Sequence, residues 1–130
     1  MRCAPTSLVL LLSLAAAPAT ACEPPASGGA VRVEGRRHVA LVRSVPAVPP
    51  LNAPFALEVA LCARDGSAAK APRIDAWMPA HRHGMNYRPG VAGVSPGRFR
   101  AEGLLFHMPG RWEYVVEIDG DRMTLPVELD

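Results

Sequence analysis

The chain is poor in the groups that most often mark a charged ligand or a reaction. Lys70 is its only lysine, and 14 Lys and Arg against 12 Asp and Glu leave a formal charge of +2. A surface so nearly balanced does not suit a polyanion, so nucleic acid is not an expected partner. No run of about 20 apolar residues occurs, which argues against a retained membrane span. There is no Gly-x-Ser-x-Gly elbow, no phosphate-cradling glycine loop, no Cys-x-x-Cys and no His-Glu-x-x-His. Glu102, Glu113 and Glu117 fall at strand positions expected to face solvent, so no acid pair is motivated. The chain is not expected to be an enzyme. Cysteine is scarce too, at Cys3, Cys22 and Cys62, and no helical periodicity stands out beyond the first 21 residues.

Those first residues are the most legible part. Arg2, the apolar run from Leu8 to Ala17, Pro18, and the small residues Ala19-Thr20-Ala21 before Cys22 have the layout of a signal peptide over residues 1–21. The same junction, followed by the polar, proline-rich Glu23-Pro24-Pro25-Ala26-Ser27, fits a bacterial lipoprotein with diacylglycerol on Cys22. It also fits plain Ala-x-Ala cleavage, leaving Cys22 free to pair with Cys62 in an oxidising compartment. Lipidation is the favoured of the two readings. Residues 22–30 then serve as a flexible tether and residues 31–130 as one domain, in the periplasm, held to the membrane only through the lipid.

The rest of the chain reads as strands punctuated by Pro, Gly and Asp: Val31–Val33, His38–Val42, Phe55–Leu61, Arg73–Met78, Gly97–Glu102, Leu104–His107, Trp112–Ile118 and Met123–Leu129. Asp119-Gly120-Asp121 between the last two is a hairpin signal. Alternation puts Phe55, Leu57, Val59 and Leu61 on one face, with Cys62 near solvent or a strand end. It likewise aligns Trp112, Tyr114, Val116 and Ile118 opposite Met123, Leu125, Val127 and Leu129. The expected fold is all-β, an immunoglobulin-like antiparallel sandwich of about seven strands, with a small barrel as the alternative. His38, alone before a strand, is expected at the surface.

One segment is chemically unusual. Met78-Pro79-Ala80-His81-Arg82-His83-Gly84-Met85 is answered by His107-Met108-Pro109-Gly110, and together they hold three of the four histidines. If residues 81–85 run extended, His81, His83 and Met85 share a side, and His107 at a strand end can join them. Imidazole with thioether suits copper, and thioether favours Cu(I). A zinc site built from histidine would call for a further His, Cys or carboxylate. The expected ligands are His81, His83, Met85 and His107, with Met78 and Met108 in reserve. Against this, the methionines also read as gap fillers at the rim of a core and the histidines as loop residues bonded to backbone or water. Trp112 reads as a core aromatic, and Pro109-Gly110 as the centre of a type II turn.

From Trp77 onward the chain resembles the YtkA-like domain family, small exported β-sandwich domains. The matching residues are Met78-Pro79, His81, His83-Gly84-Met85, Gly97-x-Phe99 and Phe106-His107-Met108-Pro109-Gly110-Arg111-Trp112. Related domains occur in FixH-type proteins associated with copper delivery, so the resemblance implies copper as cargo and another envelope or copper-handling protein as partner. The motifs also look like those of small periplasmic Cu(I) chaperones, except that His107-Met108 stands where that group has His-x-Met. The competing function is a metal-free module docking another envelope protein through Trp77, Met78, Pro79, Met85 and Tyr87. Convergence of His81, His83 and His107 would favour metal; divergence would favour docking.

Overall fold

The computed structural model describes residues 28–130 together with Met1 and Pro24. The expected signal peptide, the Cys22 junction and most of the tether lie outside the described residues. Alternating apolar side chains and turn-forming Gly, Pro and Asp give nine strands: β1 (Val31–Glu34), β2 (His38–Val45), β3 (Phe55–Ala63), β4 (Arg73–Met78), β5 (His83–Gly84), β6 (Gly90–Ser95), β7 (Arg98–Leu104), β8 (Gly110–Ile118) and β9 (Asp121–Leu129). They form two antiparallel sheets, ordered β1-β2-β3-β7-β6 and β5-β4-β8-β9. The expected all-β sandwich is the observed fold, with nine strands where about seven were expected.

The two extra strands are both edges. β5 is two residues long, and β6 is a mostly exposed Gly-Val-Ala-Gly-Val-Ser run. Conversely, the strand expected over Leu104–His107 does not form. β7 stops at Leu104, Phe106 makes a lone parallel bridge to Leu51, and His107 lies in the loop before β8.

Strand parity holds in the core. Phe55, Leu57, Val59 and Leu61 of β3 pack with Trp112, Tyr114, Val116 and Ile118 of β8 and with Met123 and Leu129 of β9; Leu125 and Val127 lie against them, partly buried. Each fully buried large apolar side chain contributes about 1.5–3 kcal/mol. Phe106 is the hub of an aromatic group, its ring 4.9 Å from Phe55, 4.8 Å from Trp112 and 5.8 Å from Tyr114.

The ends of the sandwich differ. Registers place the hairpin turns at 35–37, 96–97 and 119–120 at one end, together with the 64–72 connection; the 46–54 and 105–109 connections and the crossover from β4 to β6 lie at the other. At the short-turn end, Asp119 and Gly120 have φ of 49° and 73°, the double positive φ of a type I′ hairpin that Asp-Gly favours. The next residue, Asp121, is 1% exposed. Its carboxylate accepts from the backbone N–H of Arg36 (2.9 Å), Arg37 (2.8 Å) and His38 (2.9 Å) and from His38 Nδ1–H (3.1 Å). His38 is therefore buried, not a surface residue as expected: as the first residue of β2 it shares the inward row of Ala40 and Val42. Burial pushes the Asp121 carboxyl up, but N–H donation from Arg37 and Arg36 and the His38 contacts outweigh it, leaving its pKa at about 2. Cys62, half-buried near the end of β3, is disulfide-bonded, and its partner lies outside the described residues.

Candidate metal centre

The long-loop end carries the His/Met segments. β4 ends at Met78, and Pro79 opens a single 3-10 turn, Pro79–His81, closed by the Arg82 N–H donating to Pro79 O at 3.3 Å. Arg82 is left-handed (φ 54°), a conformation that a residue with a side chain adopts at a cost of about 1–2 kcal/mol. The expected extended run over residues 81–85 is thus broken at Arg82, and only His83–Gly84 pair as strand against Met78 and Trp77. The histidines nevertheless approach one another: the His81 and His83 ring centres are 5.6 Å apart and nearly perpendicular.

The second segment arrives from the other sheet. After β7 the chain passes Leu105 and Phe106 to His107, whose ring centre lies 5.1 Å from that of His83. Trp112, buried at the start of β8, lies edge-on beneath both, 5.6 Å from His83 and 5.4 Å from His107. Its indole N–H donates to Met108 O at 3.0 Å, which pins the 108–112 stretch. Gly110 has a φ of 118° and already pairs with Leu129, so Pro109-Gly110 leads the chain into β8 where a type II turn was expected. Imidazoles, indole and the Phe106 ring form one continuous series from core to surface.

The nitrogen inventory is informative. His83 Nδ1 lies 3.0 Å from Gly84 O. A carbonyl can only accept, so this hydrogen bond needs the proton on Nδ1, and in that tautomer the ring's lone pair is on Nε2. His107 Nδ1 is buried and has no hydrogen-bond partner among the described residues. A buried polar atom left unpaired costs about 1–3 kcal/mol, which a ligand bound there would recover. His81 is exposed and His83 half-buried.

The methionines separate. Met85 Sδ accepts from the Leu105 N–H at 3.4 Å, tying the segment after β5 to the one carrying His107. Met108 is partly buried against the core. Met78 is 1% exposed within the core, the gap-filling position, with its methyl group against Gly110. It does not reach the surface, so of the apolar patch weighed for docking, Trp77 and Tyr87 stand exposed without it.

With metal–nitrogen bonds of about 2 Å, two imidazoles sharing an ion hold their ring centres roughly 5–6 Å apart, depending on the angle between the bonds. Both histidine pairs lie in that range. Among the described residues, however, no three or more His, Cys, Asp or Glu side chains are gathered closely enough to hold one ion. The donors gathered here are pairs of imidazoles with no carboxylate, the Met85 sulfur lies at the Leu105 N–H, and the adjacent Arg82 is exposed. Neutral donors beside a cationic side chain favour a monovalent ion over a divalent one, and zinc would lack its usual four ligands.

Sequence reasoning picked out each histidine of the cluster but read Trp112 only as a core aromatic; it did not find the Gly84 carbonyl or the Leu105 N–H, because backbone groups carry no residue-type signal. No family model matches this chain, and no curated protein or solved structure does.

Proposed function

We propose that this chain is an exported carrier or accessory protein for Cu(I), held in the periplasm or at its membrane, that binds the ion through His81, His83 and His107, with the half-buried Met85 as a thioether ligand if its sulfur leaves the Leu105 N–H. The observation that carries this reading is the approach of three imidazoles from two separate segments, one of them with a buried, unpartnered Nδ1. The signal-peptide layout and the disulfide at Cys62, a bond that persists in oxidising compartments, support the exported setting, and the resemblance to YtkA-like domains, carried by the same His and Met residues, agrees with copper. Imidazole and thioether need no thiolate, so such a site functions where free cysteine would be oxidised. Met78 and Met108 have structural places in this reading and are not needed as ligands. The partner is another envelope or copper-handling protein, and no catalysis is assigned.

The test is anaerobic competition for Cu(I) between the purified full chain and a chromophoric chelator, with the H81A/H83A/H107A triple variant alongside. Uptake of about one equivalent by the native chain, lost in a variant whose circular dichroism is unchanged, is the expected result. If the native chain fails to compete with the chelator, the copper reading falls and the docking module takes its place.

A further inference from the structure

Resting on that copper reading, the spacing of the rings says more about how the ion moves. His83 approaches both His81 and His107, but the three side chains do not close into one cage among the described residues. The outer pair includes an exposed imidazole, on a turn whose next residue, Arg82, is left-handed. The inner pair includes the buried, unpartnered His107 Nδ1 and has the Trp112 ring against both members. We propose that the two pairs are successive stations sharing His83: Cu(I) enters at His81 and His83, then passes to His83 and His107, where it is held beside Trp112.

The direction follows from what each station offers. An exposed pair meets an incoming donor without rearrangement but leaves the ion in water. At the inner station the orphaned nitrogen gains its missing partner, and the indole beside both rings keeps water from the ion. His83 does not have to release the ion, since its ring neighbours both His81 and His107 while Nδ1 is engaged by Gly84 O. The step exchanges one neutral imidazole for another on a monovalent ion, so no proton or electron is transferred if the incoming nitrogen holds a lone pair. A ligand common to both sites also lowers the barrier, because the ion is never reduced to bare solvent coordination.

Trp112 lies against both members of the inner pair and against only one of the outer pair, so its emission responds most strongly to the inner station. With Trp77 replaced (W77F), it is the only tryptophan left in the chain, and its emission can be followed in anaerobic stopped flow as Cu(I) is delivered from a weak chelator complex to the full-length protein. In that background H81A should slow the Trp112 signal by about tenfold while leaving the final affinity within about threefold, the pattern of a changed association rate. H107A, with H107Q as a volume-matched check, should cut the Trp112 response by about fivefold or more while the chelator assay still detects weak binding; H83A should remove both. Loading of H81A at the native rate overturns the relay, as does a native Trp112 response in both His107 variants. Absence of Cu(I) uptake by the unmutated chain overturns the copper reading itself and the relay with it, so the two failures are told apart.

Discussion

At Asp121 one carboxylate answers three consecutive backbone N–H groups and an imidazole, so its removal leaves two buried donors of His38 and two part-buried ones without an acceptor. D121A is expected to lower the free energy of unfolding by about 3 kcal/mol, read from urea denaturation. Its pKa of about 2 when folded lies below the ordinary 3.8. The carboxylate's contribution is therefore full above the unfolded value and is lost as pH falls through the folded one. Wild-type stability should decline by about 2 kcal/mol between roughly pH 4.5 and 1.5, and the corresponding decline should be absent in D121A. Gly35 belongs to the same clamp: a Cβ there would sit 2.6 Å from Asp121 Oδ2. G35A should therefore weaken the fold, although the site at the far end is untouched. This clamp was readable in principle, since parity puts His38 in the row of Ala40 and Val42, and Asp121 in the row of Met123. The usual preference of His and Asp for the surface points the other way and masks that parity. At His81 and His83 the residue types carried the signal, whereas the positive φ of the Arg82 between them left no trace in its identity.

Among the elements, the β8–β9 hairpin and the β6 edge make opposite uses of glycine. Gly120 has a φ of 73°, and a Cβ added there would meet nothing within 4 Å, so G120A isolates the cost of the backbone conformation. It should destabilise by about 1 kcal/mol in thermal or urea unfolding. Gly90 in β6 also has open space, but without positive φ, and G90A should stabilise by about 0.5 kcal/mol by restricting the unfolded chain. The outer face of the larger sheet carries an ion-pair ladder, with Glu58 bridging Arg43 and Arg100 and Arg100 reaching Glu102. Such exposed pairs contribute little each. The long strands were legible because alternation and turn residues agreed; β4 runs over the expected Arg73–Met78. β5 and β6 were not, because a two-residue strand has no period and Gly-Val-Ala-Gly-Val-Ser buries too little to show one.

For the whole molecule, the candidate centre joins a segment that follows β4 of one sheet to a loop that follows β7 of the other. An ion held there links the two layers and adds to stability by mass action: about 2.7 kcal/mol at a free concentration one hundred times Kd. Anaerobic calorimetry should show Tm rising by about 10 °C with saturating Cu(I), and no rise in the H81A/H83A/H107A variant. The convergence of those segments was legible only as an expectation, since it depends on strand order between sheets and no local pattern encodes that order.

The unequal ends also decide where the domain tolerates handling. Extra chain is tolerated at an exposed loop tip, where lengthening costs little. Residues 46–48 form such a tip, with Val48 80% exposed. A fluorophore or affinity peptide grafted there should leave the frame intact, whereas the same graft at Gly120 would pry Asp121 off the N–H groups it holds. The hairpin turns beside Asp121 are the part to leave untouched in labelling, and residues 46–48 are where new sequence can be written.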